Sequence, residues 1–203
     1  MLHLFPHWNF KGEEGNSIPV WIYSNLDEVE LFLNGRSLGR QKMPHLSHVK
    51  WDVNYEPGFI EAHAYKNGEL VLRAKRETTG DPASIRLTAD RTTINADGED
   101  LAIVRVEALD AQGRFVPTAN QLIQFKVTGD GVLIGVGNGD PNCHESDKAP
   151  QRSIFNGLAQ VILQASKTPG QIIIEASAKG GPHLRPATLT IATKKAEIRP
   201  EVA

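Results

Sequence analysis

A single cysteine, Cys143, stands in a chain of 203 residues. No intramolecular disulfide can form, so packing alone must hold whatever fold the chain adopts. An excess of one charge is also missing, because 22 basic and 24 acidic residues leave a formal net charge of −2. The only basic pair of note near an end is Lys194-Lys195, so neither nucleic acid nor an anionic membrane has an electrostatic footprint to meet. No apolar run approaches the ~20 residues needed to cross a bilayer. The opening Met1-Leu2-His3-Leu4-Phe5-Pro6 has no basic n-region and no small-residue cleavage site. The expected route to a periplasmic or secreted location is therefore a signal outside this chain.

Helical periodicity is scarce as well, whereas two-residue alternation recurs throughout. Ile18, Val20 and Ile22 share one strand face, with Trp21 and Tyr23 on the other. Val29, Leu31 and Leu33 repeat the pattern and end at Asn34-Gly35. This pair, like Asn67-Gly68, is the strongest short hairpin signal, because a type I′ turn needs positive φ at both central residues. Stripes at Val49–Val53 and Ile60–Ala64, and a strand from Glu69 to about Thr78, complete the first half. Thr79-Gly80-Asp81-Pro82 is the candidate boundary, since Pro82 lacks a backbone donor and biases Asp81 to extended geometry. Seven further strands follow, at 85–89, 102–109, 122–127, 132–136, 158–165, 172–178 and 187–193.

Short strands at this spacing predict an all-β fold. The length suits two sandwiches of about 100 residues each and falls short of the ~250 of a catalytic barrel. The expected organisation is two tandem immunoglobulin-like β-sandwiches, residues 1–80 and 83–193, with a flexible tail at 194–203. The long segment Gly137–Ser153, rich in Gly, Asn, Asp and Pro, reads as a functional or irregular loop.

Catalytic and metal chemistry find little support. A glycosidase needs two carboxylates about 5–9.5 Å apart across a cleft, whereas Glu13-Glu14 and Glu99-Asp100 are adjacent pairs in turns, where charges are ordinarily solvated. No G-x-S-x-G elbow occurs. Cys143-His144-Glu145, with Asp140 and Asp147 nearby, lacks zinc-ligand spacing and matches no EF-hand loop. His7, His45, His48 and His63 are scattered. Gly135-Val136-Gly137-Asn138-Gly139 has alternating glycines but no following helix to hold phosphate, so it reads as a turn. No metal and no cofactor are expected.

The aromatics carry more. Trp8, Trp21 and Trp51 all lie in the first half, and Trp51 shares its face with Val49 and Val53, as a core residue would. Trp21 and Tyr23 sit opposite an apolar stripe, where they can form a sugar platform or, the favoured reading, pack on a neighbouring domain. Phe5-Pro6-His7-Trp8-Asn9-Phe10 is the densest aromatic segment, and a strip of that kind near a domain end is expected to be covered by something.

The runs Leu2–Phe10, Val20–Asn25 and Val29–Gly39 resemble the domain that follows the catalytic barrel in bacterial β-galactosidases of glycoside hydrolase family 2. In the second half, Ala96–Asp100, Gly137–Pro141 and Phe155–Val161 resemble the final, invasin-type immunoglobulin-like domain of those enzymes. Phe10 departs from the pattern, which often has tryptophan there. The resemblance covers nearly the whole chain and implies a non-catalytic C-terminal part of an exo-acting glycosidase, whose acid/base and nucleophile are barrel glutamates that match no residue here. It further implies that the barrel is the partner in cis, with Phe5, His7, Trp8, Asn9 and Phe10 as a docking strip and Trp21 and Tyr23 beside it. The alternative is a glycan-binding or adhesion module, with carbohydrate as partner.

Overall fold

The computed structural model describes residues 1–180 and 184–196. The chain divides into two compact units, Met1–Thr79 and Gly80–Ala203, and no helix occurs among the described residues.

Unit 1 holds seven strands: β1 (Leu2–Phe5), β2 (Ser17–Ser24), β3 (Glu28–Leu33), β4 (Arg36–Lys42), β5 (His48–Asn54), β6 (Phe59–Lys66) and β7 (Glu69–Glu77). They form two antiparallel sheets, β1-β2-β5 and β4-β3-β6-β7, the two-layer arrangement of an immunoglobulin-like sandwich. The two Asn-Gly pairs close β3–β4 and β6–β7, with φ of 49° and 83° at Asn34 and Gly35 and 52° and 83° at Asn67 and Gly68. Period-2 alternation turns Val20, Ile22, Val29, Leu31, Leu33, Ile60, Ala62 and Ala64 into the shared core. Burying such side chains contributes roughly 1.5–3 kcal/mol for each larger one.

Unit 2 holds β8 (Ser84–Ala89), β9 (Thr93–Ala96), β10 (Leu101–Leu109), β11 (Leu122–Gly129), β12 (Gly131–Gly137), β13 (Gln151–Ser153), β14 (Leu158–Ala165), β15 (Gly170–Ala178) and β16 (Ala187–Lys195). Its sheets run β12-β14-β10-β8 and β13-β11-β15-β16-β9. Their inner faces enclose a second core around Val104, Val106, Ile123, Val161, Leu163, Ile172, Ile174 and Ile191. The tight corner between β11 and β12 requires Gly129, since a Cβ there would lie 2.1 Å from the Gln171 carbonyl oxygen.

The chain is thus all-β, two sandwiches in series, and several local expectations change. Residues 2–5, to which no strand was assigned, are a strand. Lys194 and Lys195, assigned to a tail, pair in parallel with Asn95 and Ala96 of β9. Residues 197–203 lie outside the described residues. The segment 137–153 closes in β13 and is anchored by Arg152. That side chain, 2% exposed, donates to the Val136 carbonyl at 3.1 Å and to Cys143 Sγ at 2.8 Å, and it pairs with Asp147.

Candidate functional site

The seven aromatic and polar candidates separate into two places within unit 1. Trp8 is completely buried. Its Nε1 donates to the Glu56 carbonyl at 3.0 Å, and its ring meets Tyr55 edge-on at 5.2 Å and Phe10 at 6.0 Å. Phe10 in turn packs on Tyr55 at 5.6 Å and stacks on His7 at 4.7 Å. Burial pushes the His7 imidazole below its ordinary pKa, because desolvation disfavours the charged ring.

Hydrogen bonds tie this segment to the end of β7. Thr78 Oγ1 donates to the Trp8 carbonyl at 2.6 Å, Asn9 Nδ2 donates to Thr79 Oγ1 at 2.7 Å, and the Thr79 N–H donates to Asn9 Oδ1 at 2.9 Å. The docking strip expected at residues 5–10 is therefore not one surface. Trp8 caps its own sandwich core and has no ring left to offer a partner, and His7, Asn9 and Phe10 support it.

Phe5, Trp21 and Tyr23 lie elsewhere, on the outward face of β1-β2-β5. Strand register brings them together, with Phe5 opposite Trp21, His3 opposite Tyr23, and Tyr23 opposite His48. Phe5 stacks on Tyr23 at 5.6 Å with 10° between planes and meets Trp21 edge-on at 5.3 Å. His48 flanks Tyr23 at 5.1 Å and Trp21 at 5.9 Å, and His3 flanks Phe5 at 5.6 Å. Trp21 remains 38% exposed. His3 was not singled out in the sequence, and His48 stood there only as one of four scattered histidines. Alternation of His3 and Phe5 with Leu2 and Leu4 was visible, but their meeting with β2 depends on register.

The outward face of the other sheet has a different character. There Arg40 pairs with Glu28 at 2.6 Å and covers the Tyr65 ring, Lys75 covers the Phe59 ring, and Glu30 accepts from Ser37 at 2.6 Å and Tyr65 at 3.0 Å. The Ser37 hydroxyl is the chief reason the Glu30 carboxyl lies below its ordinary pKa, and the Tyr65 hydroxyl and Arg40 add to it against the opposing effect of desolvation. Ion and cation–π pairs cover the Tyr65 and Phe59 rings of that face, which also carries the Phe32–His63 ring contact at 4.4 Å. On the aromatic face the charged strand residues reduce to one exposed pair, Lys50–Asp52 at 2.9 Å.

The carboxylate pairs serve turns. Asp100 accepts from the Asn95 and Leu101 N–H groups and pairs with Arg91 at 3.1 Å, while Glu13 accepts from Asn16. Glu145 accepts from both the N–H and the hydroxyl of Ser153. Among the described residues no three His, Cys, Asp or Glu side chains cluster to hold a metal ion.

The model of the glycoside hydrolase family 2 C-terminal domain 5 matches residues 85–190. The chain belongs to that family. A second model, described as a domain of unknown function (DUF4982), matches residues 15–72. The β-galactosidase BoGH2A of Bacteroides ovatus is 42% identical over 198 residues, covering 96% of this chain and 23% of the relative. A putative β-glucuronidase of Formosa agariphila is 34% identical over 183 residues, 88% of this chain and 18% of that protein. Among solved structures, a β-glycosidase from Bacteroides vulgatus superposes with a TM-score of 0.89 at 32% identity, over 94% of this chain and 24% of that one. A glycosyl hydrolase family 2 member from Bacteroides cellulosilyticus gives 0.84 at 39%, over 92% and 25%. The chain spans about a quarter or less of the length of these relatives.

Proposed function

We propose that this chain is the non-catalytic C-terminal part of a glycoside hydrolase family 2 β-galactosidase, and that the Phe5–Trp21–Tyr23 face of unit 1 packs on the catalytic barrel of the same polypeptide. The observation that carries the first statement is the 42% identity, sustained over 96% of this chain, with a β-galactosidase of which it covers only 23%. Consistent with it, the candidate carboxylates hold turns rather than flank a bond to be broken. The second statement rests on the asymmetry of unit 1, where one outward face lays Arg40 and Lys75 over its rings and pairs Arg40 with Glu28, while the other presents aromatic rings and two histidines beside a single exposed ion pair.

Each Phe or Trp side chain covered by a partner contributes roughly 1.5–3 kcal/mol, so a few rings suffice for a modest interdomain contact. Sugar stacking on this face is the weaker reading. A pyranose needs an open ring face, and Phe5 and Tyr23 place theirs against each other.

The test is a chimera in which this chain replaces the matching quarter of the Bacteroides ovatus β-galactosidase. It should fold and hydrolyse a chromogenic β-galactoside, while the 203-residue chain alone gives no turnover above buffer. Trp21→Ser should lower the melting temperature of the chimera by several degrees more than it lowers that of the isolated chain, where only the ring contacts within unit 1 are lost. An inactive chimera built from a chain that folds normally would overturn the assignment, as would galactoside hydrolysis by the chain alone. An equal effect of Trp21→Ser in both proteins would overturn the docking face.

A further inference from the structure

The alternating glycines Gly135-Val136-Gly137-Asn138-Gly139 have no part in the reading above. In the fold, Gly135 and Gly137 belong to the edge strand β12, and the chain leaves the sheet at Asn138. Beside them, on the outward face of β12-β14-β10-β8, lies a groove of about 680 Å³. That volume falls within the ~300–1,000 Å³ typical of sites for small ligands.

Its floor is apolar. Ile103 and Leu158 line it and remain 44% and 38% exposed, and Ala89 adds to the floor. Much of its polar lining is exposed and makes few bonds within the protein. Arg105 is held only through Nε, 3.3 Å from Glu107, so the two terminal nitrogens of its fork have no protein partner among the described residues. The Gln160 amide and the Thr88 hydroxyl are likewise unengaged among those residues. Asp90 uses Oδ1 for the Ile103 N–H at 2.8 Å, and its Oδ2 has only Arg91, at 3.7 Å. Asn138, by contrast, is fixed at both ends of its amide, donating to the Ser153 carbonyl and accepting from the Asp140 N–H at 3.0 Å each, and so forms a rigid wall.

We propose that this groove binds a short, uncharged oligosaccharide segment. The chemistry selects that class. The guanidinium of Arg105 and the carboxylate of Asp90 balance, so nothing favours a charged ligand. A purely apolar ligand would strip water from Arg105, Asp90, Gln160 and Thr88 and return no hydrogen bonds, at a cost for each group. A pyranose presents an apolar C–H face for Ile103 and Leu158, and its hydroxyls both donate and accept, as this mixed set of donors and an acceptor requires. Gly137 lines the groove and keeps it open. A Cβ at Gly137 would find its nearest neighbour at 3.9 Å, the Gln160 side chain, and neither Gly135 nor Gly137 has a positive φ. Backbone geometry therefore does not demand glycine at position 137, whereas an open groove does.

The experiment is a titration of the ¹⁵N-labelled 203-residue chain with galactobiose, cellotriose and mannotriose, followed by amide shifts. At least one sugar should bind in the millimolar range and shift Ile103, Arg105, Gly137, Gly139 and Leu158 together. Gly137→Val should fill the groove without disturbing the remaining spectrum and weaken binding at least about tenfold, or ~1.4 kcal/mol. Gln160→Ala provides a second variant that leaves the backbone untouched and should weaken the same titration. The proposal is overturned if none of the sugars shifts these amides, if the shifts fall on Trp21 and Tyr23 instead, or if binding survives both substitutions. Neither variant touches unit 1, so failure here leaves the barrel-docking reading standing.

Discussion

Replacing Trp8 by alanine removes the largest fully buried side chain of the protein and leaves a hole between Tyr55 and Phe10. Truncation of a buried Trp or Phe to Ala costs about 3–5 kcal/mol, the lost transfer energy plus the cavity that cannot collapse. Losing the part-buried Nε1 bond to the Glu56 carbonyl adds to this cost. A unit of 79 residues has a total stability of roughly 4–12 kcal/mol at ~0.05–0.15 kcal/mol per residue. The substitution therefore takes a large share of what unit 1 has. Tryptophan fluorescence during urea denaturation reads this unit alone, since Trp21 and Trp51 remain in it and unit 2 has no tryptophan. With a urea slope of ~1–3 kcal/mol per M, the midpoint should fall by about 1 M or more. Trp21→Ala is the internal reference, because it loses exposed ring contacts worth about 0.5–1.5 kcal/mol. If Trp8→Ala costs less than about 1 kcal/mol, or no more than Trp21→Ala, then Trp8 is not the cap of this core and the reasoning fails.

Three further outcomes follow from unit 2. Burial alone would raise the Asp110 carboxyl, but the N–H groups of Arg114 and Gly80, the Arg114 side chain and the Gln112 N–H outweigh it and hold it at about 2. Because the folded value lies below the unfolded one, its contribution is complete above about pH 4 and is lost as the pH falls through about 2. Asp110→Ala should lower stability at neutral pH by about 2 kcal/mol or more and flatten the acid limb of a stability-against-pH curve; an unchanged limb would refute this. Arg152→Ala should destabilise unit 2 by about 3 kcal/mol, near the low end for a broken buried pair because Asp147 is exposed, and speed hydrogen exchange at 138–150; unchanged exchange would show that Arg152 does not hold the segment. Residues 80–203 expressed alone should melt cooperatively, whereas a segment begun at Ser84 loses the 3.0 Å bond from Gly80 to Asp110 and should melt lower; an unfolded 80–203 would refute its independence.

Local chemistry in the sequence determined the all-β character of this protein. Val20/Ile22, Val29/Leu31 and Ile60/Ala62 alternate with period two, and each Asn-Gly adopts the paired positive φ that its chemistry permits. These signals act within a few residues, so they are legible without knowing where the chain goes. Strands with no stripe of their own were not legible. β4, β9 and β13 exist because a neighbour supplies the pairing, as β16 does for Asn95 and Ala96 and β11 does for Arg152. The same limit governs the candidate site. Sequence proximity grouped Phe5, Trp8 and Phe10 into one strip, yet the turn after β1 and the hydrogen bonds to Thr78 and Thr79 carry Trp8 beneath the sandwich while Phe5 stays on the outer face. Registers joining β1, β2 and β5, not spacing along the chain, then gather His3, Phe5, Trp21, Tyr23 and His48. In the groove of unit 2, Ile103, Leu158 and Gly137 stand far apart in sequence and meet only because β10, β14 and β12 lie side by side. A residue's preference for strand or turn is a property of its own backbone and side chain, but which rings share a surface is set by pairing between distant strands, and only the tertiary structure decides that.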